Sequence, residues 1–182
     1  KALYECDHDT EAHVRRTQKM GSELGKRVGL SDAQMADLNL LCLLHDIGKI
    51  GVADTVLNKS GRLTDEEFSL MKKHPEIGYE IMSSMGENIE GLLDGIRYHH
   101  ERFDGKGYPD GLRGEDIPIS AQIVSVADVY DALVCERVYK DAFTKEQAFN
   151  MIVSGECGMF NPKLMDAFRK CAGEFERLAD EY

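Results

Sequence analysis

The chain has 182 residues, 42% of them hydrophobic, which suits a single domain that buries its own core without disulfides. Its formal net charge is −11, from 33 acidic against 22 basic residues. Such a surface repels polyanions and excludes bulk nucleic-acid binding, so an anionic substrate needs a local concentration of cationic side chains or metal ions.

Five cysteines (Cys6, Cys42, Cys135, Cys157 and Cys171) are odd in number and far apart, with no C-x-x-C. That argues against a disulfide framework or a thiolate zinc site, and for a reducing, cytosolic compartment. The longest apolar stretch, LNLLCLLHDIG, is about half of the ~20 residues a membrane-spanning helix requires, so no membrane contact is expected from this segment. No signal peptide is visible. The chain opens at Lys1 in sequence that already reads as structured, as expected of a catalytic piece cut from a longer protein with an upstream regulatory domain or membrane tether.

Helical patterning runs nearly throughout, and no window holds period-2 alternation. In chain order the expected helices cover 10–28, 32–47, 65–73, 76–85, 88–100, 119–135, 145–154 and 162–179, an all-α domain of about seven to eight helices. Ser31 with Gln34, Thr64 with Glu67 and Thr144 with Gln147 pair an N-cap hydroxyl with a side-chain carbonyl or carboxylate three residues on, marking three starts. Pro75, Pro118 and Pro162 mark others. Residues 48–63 and 101–117 break the rhythm, and the second, ERFDGKGYPDGLRGEDI, is longer than most unstructured connections in a compact domain. In the last helix Phe168, Phe175 and Leu178 read as an exposed partner surface. The sequence does not set an oligomeric state.

The candidate chemistry gathers on histidines and aspartates. LLHDIGK (residues 43–49) ends an apolar helix in His45 and Asp46, an expensive pair at a buried helix end unless satisfied. For such a dipeptide alone, a hydrogen-bonded structural pair with a glycine C-cap is sufficient. Here, however, five of the six histidines, His13, His45, His74, His99 and His100, fall on helices or helix ends able to converge. His99 and His100 point about 100° apart if helical, so they approach a centre from two directions. Asp128, in IVSVADVYDALV, sits on an otherwise buried helix and needs a cation there, either Arg or Lys or a metal.

Imidazole with carboxylate suits divalent iron, manganese, nickel, cobalt or zinc. Five histidines and two aspartates exceed the needs of one tetrahedral ion, and two ions bridged by Asp46 use them economically. Two ions about 3.5–4 Å apart acidify a shared water and stabilise both oxygens of an in-line displacement at phosphorus. Phosphoester hydrolysis is the reaction class this set favours.

The residues also form an ordered series: His13-Val-Arg-Arg, His45-Asp46-Ile-Gly-Lys49, His74-Pro-Glu-Ile-Gly, His99-His100-Glu-Arg-Phe-Asp-Gly-Lys-Gly107-Tyr108-Pro109, Ala127-Asp128-Val-Tyr-Asp131 and Arg137-Val-Tyr-Lys140. Across about residues 9–165 this series resembles the HD-GYP subgroup of the HD-superfamily phosphohydrolases. The resemblance implies one catalytic domain over residues 1–182, all-helical around a buried site of two or three divalent metals, iron or manganese foremost. It implies hydrolysis of cyclic di-GMP to linear pGpG or on to GMP, a metal-bridged hydroxide attacking phosphorus.

The family's metal ligands fall on His13, His45, Asp46, His74, His99, His100 and Asp128, with Asp46 and Lys49 catalytic. Lys49, Arg137 and Lys140 are the implied phosphate-binding residues, and Tyr108 and Asp131 further substrate-side residues. Members with a third metal carry a glutamate four residues before the first histidine, where this chain has Asp9, shorter by a methylene in the same helical register. Many relatives have an arginine in the helix before the second aspartate; here it is Gln122. The charged loop makes a poor anion nest and reads as an exposed rim presenting Tyr108 to a base or a partner. The alternatives are another substrate such as cyclic GMP-AMP, and a non-catalytic cyclic di-GMP receptor whose loop docks diguanylate cyclase or other signalling proteins.

Overall fold

The computed structural model describes residues 11–86, 89–135 and 142–181, which are helical with no strand. In chain order these are α1 (Glu11–Val28), α2 (Asp32–Leu44), α3 (Asp54–Leu57), α4 (Asp65–Met71), α5 (His74–Ser83), α6 (Glu90–Tyr98), α7 (Ile119–Val134), α8 (Lys145–Ser154), α9 (Pro162–Lys170) and α10 (Ala172–Asp180). The three expected capping boxes are all present, at Ser31, Thr64 and Thr144, because each satisfies two backbone amides with side chains only three residues apart.

α7 is the hub. Its buried residues run all round the helix, from Ala121 through Tyr130 to Leu133, which is the pattern of a helix enclosed by others. α1, α2, α6 and α8 pack on it, and α1 also meets α9 and α10. A second, smaller cluster (Val52, Val56 and Met71) holds α3 to α4 apart from the main core.

Several boundaries differ from the sequence expectation, and α3 forms in a stretch expected to be a loop; four of the differences bear on the fold, three of them on the site. The helix expected over 32–47 stops at Leu44, and a 3₁₀ turn over Ile47–Gly51 follows, because Gly48 must seat directly against α5. α6 stops at Tyr98, which leaves His99 and His100 in the turn beyond it. α5 begins at His74, with Pro75 in its first turn. Finally, the helix expected over 162–179 breaks at Cys171 (φ −115°, ψ 19°), so that α10 turns onto α1.

That last turn overturns the reading of Phe168, Phe175 and Leu178 as a partner surface, because all three are buried. Phe175 lies edge-on to Tyr130 and Phe168 at 5.1 and 5.0 Å between centroids, an arrangement that adds to the burial of three large rings. Phe175→Ala is therefore expected to cost about 3–5 kcal/mol of stability, read as a lower urea midpoint. A surface phenylalanine would leave that midpoint nearly unmoved. Among the described residues Cys42 and Cys171 are free thiols, and no helix is long and apolar enough to cross a membrane.

Candidate metal centre

Three histidines are aimed by the same local device. His45 Nδ1 donates to the Cys42 carbonyl at 3.0 Å, His74 Nδ1 to the Met71 carbonyl at 2.8 Å, and His99 Nδ1 to the Ile96 carbonyl at 2.7 Å. Those carbonyls lie in the last turns of α2, α4 and α6, where helical carbonyls lack a partner further along the chain. A carbonyl only accepts, so each Nδ1 carries the proton and each Nε2 turns a lone pair outward. The sequence carried this signal as a histidine just past a helix end.

The Nε2 atoms converge. His74 Nε2 lies 3.3 Å from His99 Nε2 and 3.2 Å from His100 Nε2. Asp46 joins them from the side: its Oδ1 is 3.0 Å from His74 Nε2 and 3.8 Å from His99 Nε2. Its Oδ2 turns the other way, 3.3 Å from His45 Nε2 and 2.7 Å from Lys49 Nζ. Ligand atoms of Asp46, His74, His99 and His100 all lie within 4.8 Å of one another, as do those of His13, His45 and Asp128. The structure thus sorts the seven residues into two groups, and the two oxygens of Asp46 face one each.

The donor set fits divalent metal. Nitrogens bound to one ion at about 2.1 Å sit roughly 3.0–3.4 Å apart in octahedral to tetrahedral geometry, and the observed 3.2 and 3.3 Å match. Burial, then the neighbouring imidazoles, holds His99 and His100 well below the ordinary imidazole range, so both are neutral lone-pair donors near neutral pH. Burial alone would raise Asp46, yet Lys49, His45 and His74 outweigh it and keep the carboxyl well below its usual value. Burial raises Asp128, a cost that a cation beside it would remove.

Behind His13 stands Asp131. Its Oδ2 accepts from His13 Nδ1 at 2.7 Å and from Arg16 Nη2 at 3.1 Å, and its Oδ1 accepts from Arg16 Nε. With a side chain 2% exposed, it faces α1 and not a substrate, which corrects its reading as a substrate-side residue. The pair orients His13 with Nε2 toward Asp128 Oδ1, 3.6 Å away. Arg16 was missed in the sequence, although its place three residues after His13 put it on the same helix face. Asp131→Asn is expected to weaken metal affinity about tenfold to a hundredfold, measured by competition with a chromophoric chelator.

Lys49 leaves the 3₁₀ turn to pair with Asp46 at the edge of the centre. Tyr108 is drawn inward: its ring stacks on His100, centroids 4.8 Å apart and planes 25° apart. The loop over 101–117 is anchored from within, with Glu101, Arg102 and Ile117 buried, while Lys106, Asp110, Arg113, Glu115 and Asp116 are exposed. Gln122 donates to the Ile117 carbonyl at 2.8 Å. Asp9, Arg137 and Lys140 lie outside the described residues.

Comparison with known proteins places this arrangement. The HD domain family pattern matches residues 6–164. The "Cyclic di-GMP phosphodiesterase response regulator RpfG" of Xanthomonas campestris pv. campestris is 40% identical over 184 residues, covering 100% of this chain and 48% of that protein. The "3'3'-cGAMP-specific phosphodiesterase 2" of Vibrio cholerae is 37% identical over 168 residues, covering 92% of this chain and 32% of its own length. The chain thus spans about half or less of these relatives. Among solved structures, Bd1817, an HDG"Y"P protein from Bdellovibrio bacteriovorus, superposes with a TM-score of 0.72 at 22% identity, covering 92% of this chain and 55% of that one, a likeness of fold. With the domain pattern matched over most of its length and the histidine series in its turns, the chain belongs to the HD domain family, in its HD-GYP subgroup.

Proposed function

We propose that the chain is a metal-dependent phosphodiesterase of cyclic dinucleotides, with cyclic di-GMP as substrate. One observation carries this reading: the two oxygens of Asp46 face two separate groups of buried imidazoles and carboxylate. In this reading His74, His99, His100 and Asp46 hold one ion, and His13, His45, Asp128 and Asp46 the other. Two such ions supply an acidified water and charge neutralisation at phosphorus.

The chain's own residues then have distinct tasks. The Nδ1 tethers fix the ring orientation of His45, His74 and His99 and turn each Nε2 toward the centre. Lys49, paired with Asp46, adds a positive charge where a phosphate oxygen would enter, which a −11 protein must provide locally. Arg137 and Lys140 belong to the same phosphate-binding role, and Asp9 to a third ion. Iron or manganese suits the nitrogen-rich set with carboxylate, and nickel, cobalt or zinc are the competing occupants.

The test loads the protein with Fe(II) or Mn(II) without oxygen and offers cyclic di-GMP and cyclic GMP-AMP in one vessel, with products separated by chromatography. Linear pGpG or GMP supports the reading. Preferential loss of cyclic GMP-AMP moves the substrate to that of the Vibrio relative, the second reading. Tight binding without turnover in metal-loaded protein makes it a receptor instead. A docked diguanylate cyclase would meet the exposed Lys106, Asp110, Arg113 and Glu115 of the loop, since Tyr108 is turned inward.

A further inference from the structure

Glu101 follows His100 directly, and only 3% of it is exposed. A carboxylate withdrawn that far from water needs donors, and here the backbone supplies them to one of its two oxygens. Its Oε1 accepts from the Asp110 amide at 2.7 Å and from the Gly111 amide at 2.9 Å. One oxygen therefore ties the first residue of the 101–117 loop to amides nine and ten positions on.

Three other features press the loop onto the same place. Gly107 admits no side chain, since a Cβ there would lie 2.6 Å from the Glu101 carbonyl carbon, and closer still to the Arg102 nitrogen. The Tyr108 amide donates to the His100 carbonyl at 3.3 Å. The Tyr108 ring then stacks on the His100 imidazole, and Lys72 Nζ lies 5.9 Å from the Tyr108 centroid and 5.2 Å from that of Phe68. At the outer edge Arg97 grips Asp110 through two hydrogen bonds of 3.1 and 3.0 Å. Tyr108, Phe68 and Lys72 so form an aromatic and cationic wall beside His100, chemistry suited to a base and its phosphate.

We propose that Glu101 is a positioning residue, the clasp that seats the loop and thereby holds Tyr108 in this wall, acting on substrate binding and not on the metals. The substrate half of this inference rests on the phosphodiesterase reading, whereas the seating of the loop does not. Glutamine keeps a carbonyl oxygen that accepts both amides; alanine keeps none.

The test compares E101A, E101Q and the parent chain, all metal-loaded, under limited trypsin, with fragments read by mass spectrometry. Lys106 and Arg113 are exposed in the loop and report its release, since cleavage follows the population of the opened segment. E101A is expected to be cut there about tenfold faster than the parent, the equivalent of losing two accepted amides, while E101Q behaves as the parent. Metal content stays that of the parent in both, and the KM of E101A rises about tenfold with kcat within about twofold. Y108A should raise KM by a similar factor without faster cleavage.

Equal cleavage of E101A and parent overturns the clasp. So does an E101Q as labile as E101A, because the acceptor role would then be wrong, and so does loss of metal from E101A. Should E101A fail to fold, E101D, a methylene too short to reach both amides, carries the same readouts. If no variant turns over any cyclic dinucleotide, the phosphodiesterase reading falls and the trypsin comparison still decides the clasp.

Discussion

Replacing Asp46 by alanine is expected to remove at least one metal ion per chain and to lower kcat on cyclic di-GMP by about a thousandfold or more, the several kcal/mol that metal ions supply to a phosphoryl transition state. The reason is its position. Oδ1 faces His74 and His99, while Oδ2 faces His45 and the Lys49 ammonium. Three imidazoles on one side and His13, His45 and Asp128 on the other each keep some affinity alone. What the variant loses is the shared carboxylate that sets the spacing of the two groups. Lys49 also loses its partner, so its charge is no longer held beside the centre. Asp46→Asn keeps an oxygen but not the charge, and should fall between the parent and the alanine variant. Metal analysis and product chromatography on the same samples decide the matter: two ions retained with kcat within tenfold of the parent would show that Asp46 joins nothing.

Gly48→Ala is expected to do comparable damage without replacing any candidate ligand. A Cβ at this position would lie 2.9 Å from the His74 carbonyl carbon, and closer to the His74 oxygen and the Gly78 nitrogen. All of these are backbone, so no side chain can swing aside. The 3₁₀ turn that follows Asp46 must move away from the start of α5, which carries His74. That displacement strikes the 3.0 Å approach of Asp46 Oδ1 to His74 Nε2. A loss of about 3 kcal/mol or more is expected in metal-free protein, at the upper end for an overpacked site, together with metal affinity lower by tenfold or more. Denaturant unfolding with and without chelator separates the two effects. Gly91→Ala is the control, since among the described residues the atom nearest its Cβ is Asp37 Oδ2 at 3.9 Å and its effect should stay within about 1 kcal/mol. A Gly48→Ala protein as stable as the control would mean that the two segments are not held together here.

Much of this was legible along the chain because it is local. A capping box needs only residues i and i+3, so the starts of α2, α4 and α8 could be read directly. The histidines and aspartates of the centre were legible as types out of place: polar side chains on apolar helix ends, too many for chance satisfaction. Other parts depended on contacts between distant segments. Phe175 looked exposed because the bend at Cys171 is set by α10 finding α1, and nothing in the local sequence announces it. Asp131 looked like a substrate residue because its partners, His13 and Arg16, lie 118 and 115 positions away. The rim is exposed in part, but the contact of Glu101 with the Asp110 and Gly111 amides beneath it is one that no side-chain pattern reveals.

By itself, then, the amino-acid sequence determined the helical class, the three capped helix starts and the set of candidate metal-ligating side chains, since these follow from hydrogen bonds and apolar spacing within a turn or two. Only the tertiary structure decided how that set divides. Whether His74 shares a centre with His99 and His100 or with His45 depends on how closely α5 approaches the turn after α2, a backbone distance that Gly48 permits and that no local interaction can fix.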